Sequence, residues 1–448
     1  SGSMRFAFAP DSIGSERNTR RVKSSTYNQM YYNPEITYEI PPFFNDDGSE
    51  RQLSTSFRDA YHNGFVTSVG SVNLAEEYRV SWDVPINRKP NDYSYTSSTN
   101  YAQPTGRLYR LAENPEQDFS KNQRQAGVPA YYYRFKDSCS ASQSQLANDN
   151  CYEKVDVAGT SEEQNFAIWY SFYRNRALAT LSAAAIAFAE LDTRTRISWQ
   201  ALNACASFDN SSNSCKSSFG PYTTARKGNL YRWFRTMPFD GGTPLRAALK
   251  RAGEFYQGQK AWQFNPGGTG NDAENMYACR ASYHILMTDG MWNGTVSSTS
   301  NFKHDNAPFN LPDGTRYTPR APYKDSASNT LADLAMHYWA NDLRDIGDYK
   351  VPAHIPFKNP NPDVEYWDPR NNPATWRNMV NFVLGLALSN SLNKANIPWE
   401  GGTHVGKGYE NLLSGTAWPQ AGSGKNENVY DLWHAAINSR GEFYSEDS

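Results

Sequence analysis

The feature that most constrains this chain is an abrupt change of texture at Glu162. From there EEQNFAIWYSFYRNRALATLSAAAIAFAEL runs about thirty residues without Gly or Pro, apolar over much of its circumference. Such a run predicts one long, well-buried helix over Phe166 to Leu191. RISWQAL follows as a short strand, GGTPLRAALKRAGEFY repeats its apolar residues at helical spacing, and YHILMTDG is an apolar strand ending in a turn. Further on, NTLADLAMHYWANDLRDI reads as helix, MVNFVLGLAL as strand and DLWHAAINSRGEFY as a closing helix. Helix and strand alternating in this way point to an α/β fold around a mainly parallel sheet, with Tyr283 to Thr288 as a central strand.

The rest of the chain interrupts those elements. From about Thr26 to Thr160 the sequence is dense in Tyr, Ser, Asn and Pro, with short alternating runs such as EYRVSWDV, and reads as a β-rich or irregular excursion. Polar, loop-rich stretches recur at about 294–326 and 345–375. At 448 residues the chain exceeds the usual size of one core, which leaves two or three domains or one core with long insertions. The interruption pattern favours one dominant α/β domain.

Composition narrows the function classes. With 44 Lys+Arg against 46 Asp+Glu and no basic run, the chain lacks the electrostatic footprint of a nucleic-acid binder. Mean hydropathy of -0.75 is polar, yet 29 Tyr, 22 Phe and 12 Trp are far more aromatic side chains than a disordered chain carries. No stretch approaches the ~20 apolar residues of a membrane span, and no charged-then-apolar leader opens the sequence.

Five cysteines fall at Cys139, Cys151, Cys205, Cys215 and Cys279. The first four form two close pairs in Ser/Asn-rich stretches, with neither zinc-ligand spacing nor a nearby His. They predict disulfides Cys139–Cys151 and Cys205–Cys215 formed in an oxidising compartment, with unrelated reduced thiols as the alternative. Cys279 is left over and expected to be a buried thiol, with a free thiol open to intermolecular pairing as the alternative.

Three segments carry the candidate chemistry. The chain opens Ser1-Gly-Ser3-Met, Thr243 precedes a helix, and Asp289 ends an apolar strand, the sheet edge at which open α/β folds bind ligands. Hydroxyls with one or two carboxylates suit a hard divalent cation such as Mg2+. Other readings are plainer. Asp289-Gly290 serves a strand-to-helix turn, and Thr243 an N-cap. His284 is more simply a satisfied core residue, and His434 lies on a packed helix. Asn45 to Glu50, NDDGSE, is a solvated turn rather than a calcium loop. The tyrosines Tyr31, Tyr32 and Tyr131 to Tyr133 are either a contact surface or loop packing.

SGSM, GGTPL and TDG, in that order, resemble the three loops of the metal-ion-dependent adhesion site of von Willebrand factor type A domains, whose first motif is Asp-x-Ser-x-Ser. More specifically, YYNPEITYEIPP, NFAIWYSFYRNRAL, GGTPLRAAL, YHILMTDGMWN, TLADLAMHYWANDLR and ENVYDLWHAAINSRGEFYS resemble, in order, stretches of the PilC/PilY family of type IV pilus tip adhesins, from Met30 to Ser445. The resemblance implies a single von Willebrand factor A-like domain over residues 1–448, a Rossmann-type parallel sheet flanked by helices that lacks its first strand and carries the insertions above. It implies Ser1, Ser3, Thr243 and Asp289 as ligands of Mg2+ or another divalent cation. The motif's Asp would stand two residues before Ser1, so the site is expected to be incomplete in this sequence; if Ser1–Met4 is instead a cloning remnant, the two serines drop out.

The family's function implies a non-enzymatic module exported through the periplasm to the pilus tip, binding minor pilins and a host or abiotic surface. The family's C-terminal β-propeller is missing from this sequence, and its activities are not carried over. Two other readings stand beside adhesion: a structural priming or capping piece of the pilus tip, and a hydrolase using metal bound at Asp289, for which no general base is evident.

Overall fold

A computed structural model describes residues 19–78, 129–237, 242–270, 272–288, 290–297, 299–386, 388, 391–393 and 396–446. Ser1, Ser3 and Asp289 lie outside the described residues. The chain divides into two compact units, Ser1–Thr195 with Pro221–Gly241, and Arg196–Gly220 with Gly242–Asp447.

The first unit is built on aromatic packing. Strands β1 (Tyr131–Phe135) and β2 (Tyr152–Asp156) form an antiparallel hairpin, closed near its base by the Cys139–Cys151 disulfide with Cα atoms 5.9 Å apart. Against it packs helix α1 (Glu163–Phe172) through Phe166 and Trp169. Tyr31, Tyr32, Tyr131, Tyr132 and Tyr133 are all at most 4% exposed. They are core, and the contact-surface reading is overturned. The ring of Tyr32 lies 4.8 Å from Phe166, while its hydroxyl donates to Glu162 Oε2 at 3.1 Å. Tyrosine buries here because the hydroxyl finds a partner while the ring packs, as at Tyr31, Tyr32 and Tyr132. The Asn45–Glu50 turn closes on itself, Asp47 Oδ1 accepting from Ser49 N–H at 2.9 Å.

The long helix expected over Phe166 to Leu191 is two helices, α1 and α2 (Arg176–Ala189). Asn175 between them is extended, and its side chain accepts from Leu178 N–H at 2.9 Å. An N-cap satisfies an amide that an interior residue would leave to the helix ladder, so a break forms without Gly or Pro. Ser182 Oγ then donates to the Phe172 carbonyl at 2.6 Å, tying the end of α1 to α2. Helix α3 (Thr224–Thr236) completes the unit, its Tyr231 ring edge-on to Phe43 and Phe44.

The second unit holds a parallel three-stranded sheet. Strand β3 (Ser282–Thr288) pairs with β4 (Met379–Leu386), and β4 pairs with β5 (Phe443–Glu446), every neighbour parallel. The central strand is therefore β4. The expectation for Tyr283 to Thr288 is corrected: among the described residues β3 pairs on one side only, and Tyr283 and Ile285 on one of its faces are 55% and 50% exposed. The closing segment is also corrected: helix ends at Asn438, and Phe443 starts a strand. Arg440 takes φ +64°, and a Cβ on Gly441 would sit 1.8 Å from the Asn381 carbonyl oxygen, so the chain can turn into β5 only with glycine there.

Helices α4 (Leu245–Gln257), α5 (Leu331–Ala340), α6 (Gly406–Leu413) and α7 (Asn428–Asn438) join this sheet in one hydrophobic core. Helix α7 has all of its residues buried, the polar Asn428, Asp431, His434 and Asn438 among them. Cys205 and Cys215 are bonded, with Cα atoms 5.5 Å apart, and Cys279 is exposed rather than buried. No described helix is long and apolar enough to cross a membrane.

Candidate functional site

The GGTPL loop and the loop after β3 meet. Thr243 N–H donates to Asn293 Oδ1 at 2.9 Å, and Asn293 N–H returns a bond to the Thr243 carbonyl at 3.0 Å. Arg246, in the first turn of α4, donates to the Asn329 and Gly294 carbonyls at 2.8 and 2.6 Å, and its guanidinium lies 4.0 Å over the Trp292 ring. Thr243 is thus held against the segment that follows Asp289. Ser1, Ser3 and Asp289, the other residues expected at the site, are among the residues not described.

The same loop is anchored from behind. Trp292 Nε1 donates to Asp431 Oδ2 at 2.7 Å, and Asn428 Nδ2 donates to the Trp292 carbonyl at 3.0 Å, both partners lying on α7. Asp431 also accepts from the N–H groups of Leu331 and Ala332, at 2.8 and 3.0 Å, so a carboxylate from one helix caps the start of another. Helix starts carry free N–H groups and favour negative charge. Burial nonetheless pushes the Asp431 carboxyl up to about 6, against the pull of His434 and these donors.

Beneath this lies a buried polar group that sequence reasoning missed. Asp305 and Asp325 come from the 294–326 insertion and His434 from α7, and one ligand atom from each lies within 4.8 Å of the others, a spacing that could hold a metal ion. His434 Nε2 is 2.7 Å from the Tyr323 carbonyl and 3.5 Å from Asp305 Oδ2; Nδ1 is 3.5 Å from Asp325 Oδ2. Burial raises the Asp305 pKa. For His434 burial acts downward, but hydrogen bonding to Asp325 and the surrounding carboxylates outweigh it, and the net shift is upward. His434 is on a packed helix, as its sequence context implied, and is 1% exposed. No spacing rule could have joined it to Asp305 and Asp325, which are brought in by a loop. His284, the other histidine weighed as a ligand, pairs with Asn381 Oδ1 at 2.8 Å across β3 and β4.

Comparison with known proteins adds the family. No protein-family model and no solved structure matches the chain. It is 41% identical over 459 residues to the type IV pilus biogenesis factor PilY1 of Pseudomonas aeruginosa strain PAK, 40% over 462 residues to that of strain PAO1, and 39% over 457 residues to that of strain UCBPP-PA14. Each alignment takes in 100% of this chain and 36% of the relative, so the chain spans about a third of the length of the curated relatives it matches. Similarity at this level over every residue of the chain, in the order of the motifs from YYNP to the closing EFYS, places the chain in the PilC/PilY family of type IV pilus proteins.

Proposed function

We propose that this chain is a non-enzymatic binding and assembly module of a type IV pilus, displayed at the pilus tip, where it engages minor pilins and a surface ligand. The observation that carries the reading is the whole-chain identity of about 40% to relatives named as pilus biogenesis factors. The fold proposed for it is von Willebrand factor A-like, one domain over residues 1–448 with insertions. Its adhesion site would comprise Ser1, Ser3, Thr243 and Asp289 around Mg2+, completed by an Asp before Ser1. What supports that assignment is local: a parallel sheet, and a GGTPL loop hydrogen-bonded through Thr243 to the loop that follows β3.

The second reading is a capping piece that primes pilus assembly and leaves adhesion to other regions. The two are separated by removing residues 1–448 from the full-length protein, then counting pili by electron microscopy and measuring attachment to a surface. Pili retained with attachment lost is the expected result for an adhesion module. Loss of pili assigns the region to assembly. Normal pili and normal attachment would sink both. Turnover of an ester, phosphate or peptide substrate that disappears in Asp289→Ala would overturn the non-enzymatic reading.

A further inference from the structure

Asp305 is fully buried, His434 is 1% exposed, and the Asp325 side chain is 3% exposed. Two carboxylates this close, out of water, repel each other and each lose hydration, so a positive charge beside them is favoured, supplied by a protonated His434 or by a bound cation. Among the described residues neither has a Lys or Arg partner; the ion pairs they make are with His434.

The hydrogen bonds define which atoms remain available. Asp305 Oδ1 accepts from Asp325 N–H at 3.0 Å and Oδ2 from Asn438 Nδ2 at 2.9 Å. Asp325 Oδ1 accepts from Ala327 N–H at 2.9 Å, which leaves Oδ2 toward the imidazole. His434 Nε2 faces a carbonyl oxygen at 2.7 Å and must carry a proton to do so. Nδ1 lies beside Asp325 Oδ2, where a binding cation would displace its proton. A histidine whose far nitrogen donates to a backbone carbonyl is oriented as metal-binding histidines usually are. Trp418 stacks on its ring, centroids 4.4 Å apart at 11°, and prevents rotation.

The 3.5 Å from Nδ1 to Asp325 Oδ2 exceeds the ~2.7–2.9 Å of a charge-assisted hydrogen bond. It matches the edge of a tetrahedron with bonds of ~2.1 Å, which is about 3.4 Å. An independent feature lies beside Asp305. Asn438 lies four residues after His434 on α7, hence on the same helix face. It is fully buried, its Nδ2 rests on Asp305 Oδ2, and its Oδ1 has no hydrogen-bond partner. A buried amide oxygen without a partner gives up its hydration for nothing in return, and a cation beside Asp305 would supply that partner.

We propose that Asp305, Asp325 and His434, with Asn438 Oδ1 as the fourth donor, form a buried structural site for a divalent cation of the zinc or manganese class. One imidazole with three oxygens and no thiolate suits those ions. Calcium asks for six to eight oxygens, and magnesium keeps waters for which a site this buried has little access. The two carboxylates balance the ion's charge. Because Asp305 and Asp325 stand at two well-separated points of the 294–326 insertion, the ion clips both points to α7. Its residues are none of those proposed for the sheet-edge site, and it does not rest on the pilus role.

The test is elemental analysis of the purified chain, then calorimetric titration of the EDTA-treated chain with Zn2+ alone and Mn2+ alone. We expect one equivalent bound, a rise in thermal midpoint on binding, and at least a tenfold loss of affinity in Asp325→Asn, which keeps the size of the side chain. Asp289→Ala should bind with unchanged stoichiometry, which separates this ion from one at the sheet edge. Failure of the EDTA-treated chain to bind either ion, or equal affinity in Asp325→Asn, overturns the site. Should Asp325→Asn not fold, X-ray absorption at the metal edge of the unaltered chain decides. One imidazole among light oxygen donors supports the proposal, and a sulfur ligand or an all-oxygen shell overturns it.

Discussion

Thr243 and Asn293 hold each other by two hydrogen bonds, the Thr243 amide donating to Asn293 Oδ1 at 2.9 Å and the Asn293 amide to the Thr243 carbonyl at 3.0 Å. Asn293→Ala removes the first and leaves the second. At an exposed position the stability cost should be about 1 kcal/mol. The larger effect is expected on position: in a chain extended upstream to include the motif's Asp, Asn293→Ala should weaken Mg2+ binding, and Asp289→Ala should abolish it with the fold intact. Calorimetric Mg2+ affinity unchanged in Asp289→Ala would leave the motif a purely structural turn.

The disulfides give a chemical fingerprint. Mass spectrometry of non-reduced peptides should find Cys139 linked to Cys151 and Cys205 to Cys215. A maleimide reagent should label Cys279 alone in the folded chain, since that thiol is exposed. Replacing either pair with serines should lower stability by roughly 2–3 kcal/mol, the loop-closure entropy of short loops. Four free thiols in the peptide map would remove the argument for an oxidising compartment.

Gly253 in α4 sits against the ring of Tyr338 in α5, and a Cβ there would come 2.4 Å from Tyr338 Cδ1. Alanine improves helix propensity by about 1 kcal/mol over glycine, while overpacking a rigid aromatic contact costs about 1–3 kcal/mol. The clash should win, and Gly253→Ala should unfold at lower denaturant than the parent chain. A higher midpoint would mean that the two helices can separate at little cost.

His337 supplies a pH dependence. Its ring stacks on Phe302, centroids 3.8 Å apart, and Nδ1 accepts from Lys303 N–H and Asn341 Nδ2, both at 3.1 Å. Burial, then the charges of Lys303 and His304, bring its pKa down from 6.5 to about 4. The unfolded chain therefore binds the proton first, and stability falls as pH drops from about 6.5 toward 4, by up to about 3 kcal/mol. Burial lowers His404 to about 4 as well and adds to the same trend. Urea midpoints at pH 7 and pH 4.5 should differ less in His337→Phe than in the parent. Equal differences in both chains would assign the loss to other groups.

Local regularity carried much of this protein into view before any coordinates. Apolar runs bounded by turns marked β3 and β4, helical spacing marked α4, α5 and α7, and Cys pairs ten and twelve residues apart foretold both disulfides. The motif order from YYNP to EFYS was enough to suggest the family, because order along a chain is a property of sequence alone. Other features depend on what a residue meets in space. Whether Tyr31 and Tyr131 faced solvent or core rested on a hydroxyl finding a partner across the unit, as Tyr31 does on the Tyr131 carbonyl at 3.1 Å. The break between α1 and α2 turned on one Asn side chain competing for a backbone amide.

The buried cluster was the least legible. Asp305 and Asp325 belong to a polar insertion with no periodicity, and His434 to a helix whose pattern speaks only of packing. What the sequence determined by itself was the type of most elements, disulfide pairing and kinship, all read from neighbours along the backbone. Only the tertiary structure decided that β4 rather than β3 is central, that the tyrosines are core, and that two carboxylates and an imidazole share one dry space. Burial and charge are set by whatever the fold brings within a few ångströms, which for Asp305 and His434 lies far away along the chain.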